Sequence, residues 1–282
     1  MELQIIHKTT YSYTKPVKLD PHYLHFKPLY RPYLTVREFD LRITPNPTNI
    51  FERLDAENNP YHQVYLPGTA VKELSIQVTM QITTQTYNPF EFLLDPRVKP
   101  RQDEAFYPNS RSNFLGNYLN HWSYPCLQEF VEELIDRSEN TMVPFLSAAI
   151  RRIHSEWRQV FRTQQDRLNA SRCFEEKEGS CRDLAWMLIN MLRSIGLATR
   201  FVSGYAFNPQ LDVGHELHAW VEVLLPGAGW IGLDPSSGLF ANEYYLPVAT
   251  SFSPNLTMPV DGTYRGKAKS NLDTSVEISI EQ

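Results

Sequence analysis

Two hydrophobic periods divide the chain. From residue 1 to about 95, apolar and polar positions alternate in short runs: LQIIHKTTYSYT, LTVREFDLRITP, HQVYLPG and ELSIQVTMQITTQTY. Alternation sends successive side chains to opposite faces of a strand, leaving one face buried and the other wet. KPVKLDP, PNPTN and DAENNP, which separate the runs, are turn signals. The pattern predicts an all-β, sandwich-like antiparallel domain over residues 1–98. Residues 99–126 are rich in Pro, Asn and Ser and read as a connector. From 127 the period lengthens, and LQEFVEELIDRS and VPFLSAAIRRIHSEWRQVF repeat apolar residues at three and four. Two helices are expected there, then a longer one from Cys181, then strands near 198–207, 218–225 and 229–234. NLDTSVEISI alternates again and predicts a final strand. Residues 127–282 thus read as a second domain, making the chain α+β.

Composition narrows the function classes. A hydrophobic share of 42% and a charged share of 21% are those of a folded globular chain. The net charge is −5, with no run of five like charges, so nucleic acid is not an expected partner. No window approaches eighteen apolar residues, so no membrane partner is expected either. MELQIIHKTTYSYTKP lacks a basic stretch followed by an apolar one, and a cytoplasmic location is the corresponding expectation. Three widely spaced cysteines, Cys126, Cys173 and Cys181, do not make a disulfide framework.

One of those cysteines is unusually placed. In EGSCRDLAWMLINMLRSIGLATRFVSGY, Leu184, Met187, Leu188, Met191 and Ile195 share one helical face, and Ala185, Ile189 and Leu192 widen it. A helix apolar on nearly all sides belongs at the centre of a core. Ser180 fits an N-cap accepting from the Asp183 N–H, Gly196 fits the stop, and Arg193 suits the negative end. Cys181 then occupies the first helical position, where unpaired N–H groups and the helix dipole favour a thiolate. Asp183, on the same turn, works against it. For a cysteine on its own, a small buried residue tolerated beside a glycine is the better explanation, so chemistry requires a partner.

GHELHAWVEVLLPGAGWIGLDPSSG offers one. His218, Trp220, Glu222 and Leu224 share one strand face, and Pro226–Gly229 forms a turn. If Leu225 pairs with Gly229, Asp234 lies opposite Trp220 and diagonal to His218 on the same face. A thiol at a helix start, an imidazole and a carboxylate are what an activated thiolate needs. The imidazole takes the thiol proton and returns it to the leaving group, while the carboxylate fixes its tautomer.

G-S-C-R-D with its apolar helix, G-L-A-T-R-F-V-S-G-Y, H-A-W-V-E-V and G-W-x-x-x-D-P together resemble the bacterial transglutaminase-like family of the papain-like cysteine enzymes. L-Q-I-I-H-K-T-T-Y-S-Y resembles the β-domain that precedes its core, and G-T-Y-R-G-K the strand that closes it. The resemblance implies a papain-like core, a cysteine-bearing helix packed on an antiparallel sheet. It implies Cys181 as nucleophile, His218 as base and Asp234 as orienting acid, with no cofactor. The expected activity is acyl transfer through a thioester on a peptide or protein amide. Hydrolysis is the first reading; transamidation of glutamine and a non-catalytic interaction module are the alternatives. Three departures stand out: Ser236-Ser237 where the family has Thr-Asn, Ser253–Thr257 where it has Gly-Arg-Asp-Tyr, and Phe161-Arg-Thr163 for an F-x-Y.

Other residues read more plainly. His215/His218 and His22/His25 form H-x-x-H, but residues three apart on a strand face opposite ways, so no metal is expected. Trp220 and Trp230 read as core or groove aromatics, Arg182 as solvated or paired, Arg200 and Tyr205 as packing. Cys126 and Cys173 have no base partner in the sequence and are expected to be inert.

Overall fold

A computed structural model describes residues 1–102, 105–160, 169–209 and 217–281. The N-terminal region contains β1 (Glu2–Leu24), β2 (Leu34–Thr44), β3 (Asn49–Leu54), β4 (Pro60–Tyr65) and β5 (Val71–Thr84). Next come α1 (Asn109–Phe114), α2 (Gly116–Leu119), α3 (Pro125–Arg137), α4 (Met142–Glu156), β6 (Arg158–Gln159), α5 (Ala170–Glu176), β7 (Glu178–Gly179) and α6 (Cys181–Ser194). The chain finishes with β8 (Thr199–Ala206), β9 (Leu217–Leu225), β10 (Gly229–Asp234), β11 (Leu239–Phe240), β12 (Tyr245–Ser251), β13 (Val260–Arg265) and β14 (Ser270–Ile280). Among the described residues no helix is long and apolar enough to cross a membrane.

The N-terminal strands form an antiparallel sheet in the order β2-β5-β1-β4-β3, with β13 and β14 also on β1. Alternation does what the sequence promises: Leu74, Ile76, Val78, Met80 and Ile82 of β5 are buried to 1% or less. Two differences concern β1. KPVKLDP does not turn the chain; it lies inside the strand, where the pairing shifts register between Ser12 and Val17 and between Leu19 and His22. A proline has no N–H to donate, and a register break is where none is needed. The other difference is at the C-terminal end. GTYRGK, which was expected to close the core, lies at the end of β13 through Arg265, and that strand pairs with β1, as does β14 along Leu3–Tyr13.

The core sheet runs β11-β10-β9-β8-β12. Helix α6 packs on it with Leu184, Ala185, Met187, Leu188, Ile189, Met191 and Leu192 buried, and α3, α4 and α5 complete that layer. β12 is buried at all seven positions, because Leu246 and Val248 join Tyr205 in the apolar core of the N-terminal sheet. Polar groups stitch the seam. His7 Nδ1 meets the Tyr205 hydroxyl at 2.9 Å, and Asn59 exchanges bonds with the Thr250 backbone at 2.8 and 2.9 Å. The connector is not irregular throughout: beyond α1 and α2, the Tyr107 hydroxyl donates to the Leu224 carbonyl at 2.6 Å.

His7 makes stability depend on pH. Burial pushes its imidazole down to about 4 from 6.5, and burial also lowers His22, His25 and His62. Above pH 6.5 the folded and unfolded chains both hold His7 neutral; below it the unfolded chain is protonated first. Stability should therefore fall as pH drops from 6.5 towards 4, with His7 alone contributing on the order of 3 kcal/mol. Urea denaturation at stepped pH measures this, and a flat profile across the window would contradict a neutral, buried His7.

Candidate active site

The start of α6 is built as its sequence indicates. The Ser180 hydroxyl accepts from the Asp183 N–H, and Asp183 Oδ2 accepts from the Ser180 N–H at 2.9 Å. The Ser180 hydroxyl also donates to that carboxylate, at 2.7 Å. Asp183 is therefore a capping group, aimed back at Ser180. At the far end Gly196, at φ +84°, lets its N–H reach the Arg193 carbonyl, while the Leu197 N–H reaches that of Leu192. Arg193 differs from expectation. Rather than facing the helix's last carbonyls it is buried, donating to the Asn120, Thr199 and Phe252 carbonyls, and burial lowers its pKa to about 10.

The hairpin adopts the expected register, Gly229 opposite Leu225 and Gly232 opposite Glu222, without a bulge. This brings His218 Nε2 to 2.8 Å from Asp234 Oδ2. The Cys181 thiol is also in hydrogen-bonding contact with the His218 ring. All three side chains line one cleft of about 990 Å³. Asp234 is buried, with 1% of its surface exposed. Burial alone would push its carboxyl up; His218, Ser237 and Tyr245 outweigh that and hold it at about 2. Burial would likewise push the His218 imidazole down, but the Asp234 charge and then Cys181 raise it well above its ordinary value. The arrangement favours an imidazolium beside the Asp234 carboxylate, with the Cys181 thiol against the same ring.

Several supporting groups were not legible in the sequence. Oδ1 of Asp234 accepts the Ser236 N–H at 2.8 Å; Oδ2 accepts the Ser237 and Tyr245 hydroxyls at 2.7 and 2.8 Å. Ser237 occupies a family Asn position, so that departure supplies a donor to the carboxylate. His154 Nδ1 lies 2.6 Å from the Ser236 carbonyl and pins the same turn. Glu222 accepts from Arg200, its cross-strand partner, and from Arg31, which arrives from the N-terminal region, both at 2.7 Å. Burial would push the Glu222 carboxyl up; the guanidiniums of Arg200 and Arg31 bring it below its usual range.

The remaining candidates fall into place. Trp220 is buried against Tyr245, and Trp230 lies under the Arg200 guanidinium at 4.2 Å. Tyr205 is fully buried, and Arg182 borders the cleft with Nη2 3.2 Å from Met258 Sδ. Gly204 sits opposite His218, and a Cβ there would lie 2.3 Å from the Leu246 carbonyl oxygen and 2.7 Å from the Trp220 ring. Cys173 is buried and Cys126 lies 3.8 Å from the Ser171 hydroxyl, both away from the cleft lining. His22 Nδ1 and His25 Nδ1 face the Asp20 and Met258 carbonyls. His215 and Phe161–Thr163 lie outside the described residues.

Residues 130–235 match the family model of the transglutaminase-like superfamily, and residues 3–83 that of the bacterial transglutaminase-like N-terminal region. The core is transglutaminase-like. An uncharacterized protein of Mycobacterium leprae is 34% identical over 107 residues, 36% of this chain and 37% of that protein. The protein-glutamine gamma-glutamyltransferase of Pseudomonas aeruginosa is 33% identical over 70 residues, 22% of this chain and 10% of its own. The matched stretches thus span little more than a third of the first relative and a tenth of the second. Among solved structures, a candidate cysteine protease from Cytophaga hutchinsonii superposes with a TM-score of 0.70 at 18% identity. That superposition covers 99% of this chain and 90% of the other, so the two-part fold is shared throughout.

Glu222 lies between two guanidiniums that would otherwise be partly buried without a counter-charge. Glu222→Ala should destabilise the fold by about 3–5 kcal/mol, read as a lower urea midpoint. A loss within error would mean the three-residue ion cluster contributes nothing net.

Proposed function

We propose that the chain is a cysteine-nucleophile acyl-transfer enzyme that hydrolyses a peptide or isopeptide-type amide. The observation that carries this reading is the His218 ring, which touches both the Cys181 thiol and the Asp234 carboxylate inside a cleft. A transglutaminase-like core is a scaffold for cysteine-based acyl transfer, and the residues match its motifs in type and order. In the reaction, Cys181 Sγ attacks the amide carbonyl carbon, and the oxyanion that forms accepts the Cys181 N–H at the helix start. The C–N bond then breaks, His218 gives its proton to the departing amine, and a thioester remains. Water adds to the thioester as His218 takes its proton, and the acid leaves with Cys181 restored as thiolate.

An amine in place of water would give a new amide by the same steps. Hydrolysis is preferred because water is always present and, among the described residues, no feature of the cleft marks an amine site. Added amine is therefore part of the test. A peptide library incubated with and without a primary amine should release free acid in both cases. Dominant amide exchange would replace hydrolysis with transamidation, and no turnover of any amide would leave a binding module.

Two further outcomes follow from the roles assigned. Iodoacetamide near neutral pH should label Cys181 before Cys126 or Cys173, as peptide mapping would show; faster labelling of Cys173 would refute the nucleophile. Asp234→Asn should keep the fold and lower turnover on the order of 10²-fold or more, because the imidazole loses its orienter. Unchanged turnover in that variant would remove Asp234 from the mechanism.

A further inference from the structure

The Asp234 carboxylate is held by more donors than the proposed reaction uses. Its Oδ1 bond to the Ser236 N–H comes from the turn that follows Asp-Pro, whatever side chains stand there. The Oδ2 bonds are different. That oxygen faces His218 Nε2 at 2.8 Å and also accepts the Ser237 and Tyr245 hydroxyls. Tyr245 belongs to β12, and in the sheet order β8 and β9 stand between that strand and β10, which carries Asp234. Its ring reaches the carboxylate by packing edge-on to Trp220, with centroids 5.3 Å apart, and beside His218 at 6.4 Å.

Phenylalanine would fill that space without burying a hydroxyl, and burying a hydroxyl is unfavourable unless it is bonded. The bond it makes is to the oxygen that engages His218. A carboxylate is softly held about its terminal torsion. Fixing Oδ2 from two further directions removes that freedom. We infer that Tyr245 is a positioning residue: its hydroxyl, with that of Ser237, locks Asp234 so that Oδ2 stays on His218 Nε2 and the ring stays turned towards Cys181. This rests on the reading of Cys181, His218 and Asp234 as the reacting set. Burial first, and then the Asp234 charge, hold the Tyr245 phenol far above its ordinary range, so its proton remains available to donate. Among the described residues, the titratable groups facing the His218 ring are Cys181 from α6, Asp234 from β10 and Tyr245 from β12.

The test uses the full chain with Tyr245→Phe, Ser237→Ala and the double variant. Each is followed by peptide turnover, by the pH profile of Cys181 alkylation with iodoacetamide, and by thermal unfolding. Each single variant should lower kcat on the order of tenfold with KM nearly unchanged, as expected for one hydrogen bond to a charged group. Both hydroxyls hold Oδ2 on His218, so removing either should let the imidazolium drift from Cys181 and move the acid limb of alkylation to higher pH. The double variant should move it further, and Ser237→Thr, which keeps a hydroxyl, should restore the Ser237 position. Folded variants with unmoved kcat and acid limb would overturn the inference. So would a lowered melting temperature without a shift of the limb, which is the signature of a packing role. If Cys181→Ser keeps turnover, the underlying acyl-transfer reading fails instead, and the two failures are told apart.

Discussion

A buried anion is the constraint around which the core is arranged. Asp234 keeps 1% of its surface in contact with solvent, and an unpaired carboxylate in that position would cost several kcal/mol. Its donors come from three directions: β9 through His218, the turn after β10 through Ser236 and Ser237, and β12 through Tyr245. Each direction imposes a condition on the fold. The hairpin must hold its register, the turn must be pinned by His154, and β12, at the edge of the core sheet, must be covered along its whole length. A strand buried on both faces needs a second layer, and the N-terminal sheet is that layer. Its loops supply the Leu29 N–H to the Pro247 carbonyl and the Tyr33 hydroxyl to the Tyr245 carbonyl, besides the Asn59 bonds to Thr250.

The motifs that carry the family likeness divide into two kinds of residue. Cys181, His218 and Asp234 meet in the cleft. Arg200, Glu222, Gly204 and Trp220 do not contribute chemistry; they shape what surrounds it. Gly204 leaves room for the Trp220 ring and the Leu246 carbonyl beside the strand that bears His218. Glu222 and Arg200 form a cross-strand pair that becomes a three-residue cluster only when Arg31 arrives from the other layer. Arg193, by contrast, is a buried cation answered by carbonyl dipoles rather than by a carboxylate.

What could be read from the sequence was what depends on local spacing. The alternation of β5, the two caps of α6 and the hairpin register all follow from residues within about one element of each other. β3 and β12 were not foreseen, for opposite reasons. NIFERL is exposed at every position, and YLPVATS is buried at every position, so neither alternates. The short helix α5 was missed because its seven residues hardly complete two turns. The path of KPVKLDP through β1 was hidden because turn residues tolerate a register break as readily as a turn. Tyr245 and Arg31 carry no local signal at all, since their partners lie on other elements and only tertiary contact gives them a purpose, whereas Ser237 bonds to Asp234 only three residues back.

The pairing of β14 with β1 has a consequence for how the chain comes together. β1 is the first strand of the described chain to be synthesised, yet its Leu3–Tyr13 edge is completed by residues 270–280. On a ribosome that edge would stand open while the whole transglutaminase-like core was still being made. Local helices and hairpins form early, whereas this most distant of pairings has to wait, and high contact order slows it further. A nascent chain in this condition presents an unpaired, half-apolar strand edge, the kind of surface that recruits other strands. Arrival of β14 closes it and joins strands from either side of the core in one sheet.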